Sequence, residues 1–363
     1  MDPFAHTLVG ATMAETGLGR TSRLATATLV IGANLPDIDV LAGVLGSDAS
    51  LYFRRGITHG IVAMVLLPLA LAAAMIAYDR WRTKHQPELE PARFAPLVAL
   101  SFLAVLSHPA LDWLNTYGVR LLYPFSGRWF YGDSLFIVDP WMWLLMAGAV
   151  VLARSKGRLS QSAWIILASA STALVTTLDF VPFPAKLLWL GAVALIIVTR
   201  ILGRAQKRTE VLARTMLGAL LVYIGLMIAG TALARHQAGN WLAAQGVETT
   251  RIMAGPLPAN PFIRDIVAVT PDGYRFLSLD WLSDQRFASS HPPLPGDVRD
   301  PIIEAALNSP SVRGFRTWMR FPTYEIGKHD RGYRVTIRDV RYSRFDALIG
   351  TEVVELDEDL QPR

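Results

Sequence analysis

Six stretches of the chain, 57–78, 94–114, 135–153, 162–178, 185–202 and 212–234, are nearly uninterrupted runs of apolar residues. Each has the length a helix needs to cross a hydrocarbon core about 30 Å thick. A seventh, more polar stretch covers 24–45, and 3–16 reads as a shorter helix that turns at Gly17-Leu18-Gly19-Arg20. The pattern predicts a mainly α fold, a polytopic transmembrane bundle of about seven or eight helices. Past Trp241 the pattern changes. Tyr333-Arg334-Val335-Thr336-Ile337-Arg338 alternates with the period of a strand, Val269 to Phe276 carries the turn Thr270-Pro271-Asp272-Gly273, and Pro301–Leu307 reads as a short helix. Residues 240–363 are therefore expected to form a small extramembrane β-rich (α+β) domain. Ahead of it lie a first membrane region, 1–153, and additional membrane helices over 154–236.

Lysine and arginine collect in particular loops: Arg20 and Arg23; Arg80, Arg82, Lys84 and Arg93; Arg154, Lys156 and Arg158; Arg200, Arg204, Lys207, Arg208 and Arg214. If every apolar stretch spans, these groups share one side, which the positive-inside rule makes cytoplasmic. The expected location is the inner membrane of a bacterium, multi-pass, with the C-terminal domain on the outer, periplasmic side. The N-terminus has no basic segment ahead of an apolar run and reads as part of the fold rather than a signal peptide.

Composition agrees with a membrane as solvent: 52% of the residues are hydrophobic and only 18% charged. The formal net charge of +5 is spent in the loops, so a nucleic-acid partner is not expected. Cysteine is absent, which excludes disulfides and thiolate ligands. Any metal must be held by imidazole and oxygen.

Ionisable residues interrupt the apolar pattern at four places. They are His6; Asp37 and Asp39 in Asn34-Leu35-Pro36-Asp37-Ile38-Asp39; His59 in Arg55-Gly56-Ile57-Thr58-His59-Gly60; and His108 with Asp112 in Ser107-His108-Pro109-Ala110-Leu111-Asp112. Charge at membrane depth is costly, so a functional role is the default reading. Counting from the loop arginines at 1.5 Å per residue puts His6, Asp37 and His108 at one level, about 21 to 23 Å up their helices. Asp112 and His59 come out at about 28 to 32 Å by the same count. His108 and Asp112 are spaced i, i+4, which places both on one helical face. Asp37 and Asp39 cannot share a face of a continuous helix, but Pro36 breaks the ladder and could turn both inward. His6, Asp37, Asp39, His59, His108 and Asp112 are the candidate ligands. Neutral imidazole and carboxylate suit Zn²⁺ first, with Mn²⁺ or Fe²⁺ as alternatives, and one or two ions. Taken singly, each is an ordinary residue: a core histidine, a polar helix break, a cap beside Gly60. The remaining histidines, His85, His236, His291 and His329, fall in loops or the polar domain and read as solvated.

The loop 115–134 mixes aromatic and basic residues, which suits a headgroup layer. It also offers Arg120 and Arg128 as anion-binding groups for a phosphate, because guanidinium matches phosphate oxygens in pairs. Asp133 and Asp139 are further ligand or base candidates.

The runs His6-Thr7, Leu35-Pro36-Asp37-Ile38-Asp39, Arg55-Gly56-Ile57-Thr58-His59-Gly60 and His108-Pro109-Ala110-Leu111-Asp112-Trp113-Leu114-Asn115 resemble, in order and spacing, the YdjM-type family of bacterial inner-membrane proteins. The resemblance covers roughly residues 1–150 and implies a metal-dependent hydrolase. The order of histidines and aspartates also looks like part of the helical zinc-dependent phospholipase C and P1-nuclease type, without that type's later His-xxx-Glu pair. That second likeness implies phosphoester chemistry with His6, Asp37 or Asp39, His59, His108 and Asp112 as ligands.

The expected function is hydrolysis of a lipid or lipid-linked (phospho)ester at the outer face of the membrane by a metal-activated water. Asp39 is expected to orient or deprotonate that water, and Arg120 and Arg128 to offset charge on the substrate. Two other classes fit the same residues. A cation- or proton-coupled transporter would use the buried groups as a relay, and a non-catalytic membrane protein would use a structural metal to clamp its helices.

Overall fold

The computed structural model describes residues 1–155, 157–203, 208–296, 300–345 and 350–363. Of the loop cations used above to orient the chain, Lys156, Arg204 and Lys207 lie outside the described residues.

The chain folds as two compact units. The first holds Met1–Ile38, Ile57–Gly230 and Gly255–Phe262; the second holds Asp39–Gly56, Thr231–Ala254 and Ile263–Arg363. Helices α1 (Pro3–Glu15), α2 (Ala25–Gly32), α3 (Ser47–Phe53), α4 (Ile61–His85), α5 (Phe94–Trp113), α6 (Pro140–Arg154), α7 (Arg158–Thr177), α8 (Phe183–Ile201) and α9 (Thr209–Ala244) follow in order.

Among the described residues five of these, α4, α5, α7, α8 and α9, are long and apolar enough to cross a membrane, and a bent pair raises the count to six. The expected seven or eight is therefore too many, for three physical reasons. The stretch 24–45 is not one helix: α2 ends at Gly32, a 3-10 helix runs Leu35–Leu45, and the two are bent by 44°. Pro36 cannot donate a backbone hydrogen bond, and the ladder breaks around it. The stretch 135–153 loses its first residues to a loop, because Asp139 caps α6 and Pro140 occupies its first position. The resulting 15 residues rise only about 22 Å. Helix α1 has 13 residues and buries His6, Leu8, Val9 and Met13 inside the bundle. By contrast α9 is longer than its apolar stretch, with 36 residues that rise about 54 Å.

In the first unit, α1 packs on α2 and α6, and α5 packs on α2 and α4. The contacts use small side chains that let backbones approach, including Ala5, Ala25, Ala33 and Ala104, all fully buried. Leu8, Val9, Leu29, Leu100, Met142 and Met146 fill the space between them.

Strands β1 (Arg251–Leu257), β2 (Asn260–Thr270), β3 (Gly273–Asp280) and β4 (Phe287–Leu294) form one sheet in that order, of which residues 251–254 and 263–294 belong to the second unit. Thr270 pairs with Gly273 across the turn expected from the sequence. The end of α9 lays Ala234, Ala238 and Leu242 on Ile266, Ala268, Leu277 and Leu279 of this sheet. A second sheet joins β5 (Pro322–His329), β6 (Gly332–Asp339) and β7 (Thr351–Leu356), antiparallel throughout. Helices α10 (Pro301–Leu307) and α11 (Arg313–Trp318) lie between the sheets in sequence. The membrane-region helix α3 belongs to this unit. Its Asp48 carboxylate accepts from the backbone N–H groups of Gly314 at 2.6 Å and Phe315 at 3.2 Å, and Tyr52 accepts from Arg313 at 3.0 Å. Only glycine allows this approach at 314, since a Cβ there would meet the Asp48 carbonyl oxygen at 2.0 Å.

Candidate metal centre

Each candidate side chain is placed by a different local device. Asp2 caps α1 by accepting from Ala5 N at 3.0 Å, and His6 follows on the first turns, fully buried. Asp37 sits just past the break at Pro36. His59 ends the 3-10 turn Ile57–His59, immediately before the α4 cap at Gly60. His108 and Asp112 lie one turn apart on α5. Although Asp112 is about 6 Å further along the axis, helical side chains lean toward the N-terminus, and its Oδ2 comes within 3.6 Å of His108 Nε2.

The structure brings five of the six residues together. One ligand atom from each of His6, His108 and Asp112 lies within 4.8 Å of the others, and so does one from each of Asp37, His59 and His108. Asp112 Oδ1 is 3.3 Å from His6 Nε2, while its Oδ2 is 3.3 Å from His59 Nε2. Asp37 Oδ1 is 3.7 Å from His108 Nε2 and 4.0 Å from His59 Nε2. The His6 and His108 rings stack at 3.6 Å. The Met1 backbone nitrogen also contacts Asp112 Oδ1. His6, His59, His108 and Asp112 have no exposure, and the Asp37 side chain has 12%.

His108 Nδ1 lies 2.6 Å from the carbonyl oxygen of Ala33. A carbonyl only accepts, so Nδ1 carries a proton, and the ring turns its other nitrogen, Nε2, toward the carboxylates. That Nε2 has no hydrogen-bond partner among the described residues, and neither does His6 Nδ1. Buried polar nitrogens are normally satisfied, so orphans of this kind ask for an explanation. Bonds of about 2 Å to nitrogen and oxygen place two ligands of one ion about 3 to 4 Å apart. The distances above fall in that range, and the donor set fits a divalent transition metal.

Asp39 lies in neither group of three. Its Oδ2 accepts from the backbone N–H of Arg55 at 2.7 Å, and its Oδ1 faces the Arg54 guanidinium at 3.7 Å. Within the second unit this carboxylate ties together the two ends of the 39–56 excursion. Arg120 is buried, with its guanidinium 5.0 Å from the ring centres of both Tyr123 and Trp129. Arg128 is exposed, above Phe130 at 5.3 Å. Asp133 is fully buried in the loop, and Asp139 accepts from Met142 N and the Tyr223 hydroxyl. Among the other histidines, His85 is in the last turn of α4 and hydrogen-bonds Trp81 O, His236 pairs with Asn240, and His329 pairs with Glu355.

Two contributors were invisible to residue-type reasoning. The Ala33 carbonyl has no side-chain signature, and the Thr58 hydroxyl, 3.0 Å from His59 Nδ1, was read only as part of a run. The loop strand at Tyr123 closes over Gly60, where an added Cβ would meet the Tyr123 carbonyl at 2.2 Å.

Comparison with known proteins follows the same residues. No solved structure matches the chain. An uncharacterized protein of Bacillus subtilis (strain 168), YfhP, is 25% identical over 165 residues, which are 43% of this chain and 47% of that protein. The chain thus spans about half the length of the curated relative it matches. The profile of the YdjM inner membrane protein family matches residues 1–183, a segment that contains all five clustered side chains and the helices that carry them, and the chain belongs to that family.

Proposed function

We propose that this protein is a membrane-bound metal-dependent hydrolase whose centre is held by His6, Asp37, His59, His108 and Asp112. The observation that carries the reading is the buried Nε2 of His108, without a hydrogen-bond partner among the described residues, fixed in direction by Ala33 and facing two carboxylates. A closed hydrogen-bond network would have no use for it. Asp112 turns its two oxygens to different imidazoles, so together with His6 and His59 it would hold a divalent ion. A bound divalent ion supplies Lewis acidity, polarising an ester oxygen and acidifying water. Zn²⁺ is the first choice for this donor set, ahead of Mn²⁺ and Fe²⁺.

The chain's own groups then divide the remaining work. Asp37, the partly exposed carboxylate of the cluster, accepts the proton released by the attacking water. Asp39 is reassigned from that role, because Arg55 and Arg54 engage it; it holds the segment between Asp37 and His59. Arg128 is the exposed cation of the 115–134 loop and the better candidate for a substrate anion, since Arg120 is buried against two rings. A substrate of lipid or lipid-linked (phospho)ester type suits a centre set among membrane helices, approached from the outer face of the inner membrane.

Elemental analysis of the detergent-purified chain, beside Asp112→Ala, tests the centre. The expected result is at least one equivalent of zinc, manganese or iron, absent from the variant, followed by release of product from phospholipids or lipid phosphates. Metal without hydrolysis of any lipid ester, and with no exchangeable water, would favour a structural clamp. No transition metal in the wild type would remove the hydrolase reading and leave ion transport by the buried carboxylates.

A further inference from the structure

A groove of about 670 Å³ runs between α6, α7 and α8, away from the histidine cluster. Its walls are apolar, with Trp143, Trp164, Trp189 and Ile196 prominent. Of the polar side chains midway along it, Trp189, Thr172 and Ser171 are satisfied within the chain. Trp189 donates to the Thr172 hydroxyl at 3.0 Å, and Ser171 donates to the Leu167 carbonyl at 2.8 Å. The ligand that fits the length of the groove is therefore hydrocarbon.

One end is different. There Ser155, Gln161 and Arg200 converge from the end of α6, the start of α7 and the end of α8. Arg200 donates to the Ser155 carbonyl, one of the five N–H groups a guanidinium offers. From Trp189 to Arg200 the wall rises about 17 Å along α8, close to one leaflet of a 30 Å core. Both α7 and α8 bury only 11% of their apolar windows within the chain, so the groove opens to the bilayer. An amphiphile with one acyl chain's length of hydrocarbon and an anionic head at the arginine matches these features.

We propose that the groove is a binding site for an acyl chain of an anionic phospholipid from the leaflet on the Arg200 side, with Arg200 contacting the headgroup phosphate. The site is independent of the metal-centre reading and uses none of its residues.

The test is lipid retention by the full chain, measured by native mass spectrometry after incubation in micelles containing phosphatidylglycerol or phosphatidylcholine of the same acyl composition. Wild type should retain phosphatidylglycerol about fivefold better, as one arginine near the surface implies. Arg200→Gln should equalise the two lipids. Ala168→Phe, which fills the groove, should reduce retention of both while size and helical content stay unchanged. Equal retention of the two lipids by the wild type would overturn the proposal without any variant. So would Ala168→Phe retaining lipid normally, or a dimer that closes the groove against a second copy.

Discussion

His108 and Ala33 form a hydrogen bond of 2.6 Å between an imidazole on α5 and the last carbonyl of a helix that stops early. The terminal carbonyls of a helix have no intrahelical donor, and the break at Pro36 is what leaves this one available. A sequence irregularity thus becomes the device that orients a ligand nitrogen.

Restoring the ladder should weaken the centre. In Pro36→Ala the helix can continue, the Asp37 N–H can claim the Ala33 carbonyl, and His108 loses its acceptor. Metal affinity, read by competition with a chromogenic chelator, should fall about tenfold, the size typical of losing an orienting partner. An unchanged affinity would mean that the Ala33 contact does not set the ring.

The two groups of three make different demands. His6→Ala should remove metal from the side of Asp112 that faces His6, and Asp37→Ala from the side shared with His59. His108 belongs to both groups but has only Nε2 left to offer, so two ions could not share it; a second ion would rest on two ligands of its group, and each variant would then retain one equivalent by elemental analysis. With one ion shared by all five residues, both variants should lower affinity while the stoichiometry of the wild type is already one.

Gly60 separates His59 from α4 and lies under the Tyr123 carbonyl. Gly60→Ala should push the 115–134 loop outward, shift His59 and cost about tenfold in metal affinity. Gly127→Ala, where an added Cβ meets nothing within 4 Å, is the matched control and should bind metal as the wild type does.

In the second unit, burial pushes the Asp339 carboxyl up, but the Arg341 charge and its hydrogen bonds, with the Arg320 and Arg341 N–H groups, outweigh this. The folded value lies below the ordinary 3.8. A carboxyl lowered on folding contributes stability that is present above its unfolded value and lost as pH falls through the folded one. Acid titration of the full chain should therefore lose this contribution below about pH 3.8. Asp339→Asn should flatten that loss and destabilise the unit by about 3 kcal/mol at neutral pH, because Arg341 is left buried. Trp318 stacks on Tyr342 at 5.5 Å and under Arg341, so its fluorescence reports the transition.

Much of this protein was legible as pattern. Apolar runs identified the membrane helices, because a bilayer tolerates little else. The turn at Thr270–Gly273, the strand around Tyr333–Arg338 and the helix Pro301–Leu307 followed from period and turn chemistry. His6, Asp37, His59, His108 and Asp112 stood out because ionisable groups in such runs are expensive. What required tertiary structure was everything set by direction. The helix count fell because Pro36 and Pro140 shorten elements that composition alone would extend. Axial counting placed Asp112 and His59 above the other ligands, whereas side-chain lean and a 3-10 turn bring all five together. Asp37 and Asp39, two residues apart, part company because one turns to the histidines and the other to Arg55. The residues able to form a centre could be named from their chemistry, but the partners of each lone pair depend on backbone atoms that carry no residue-specific signal.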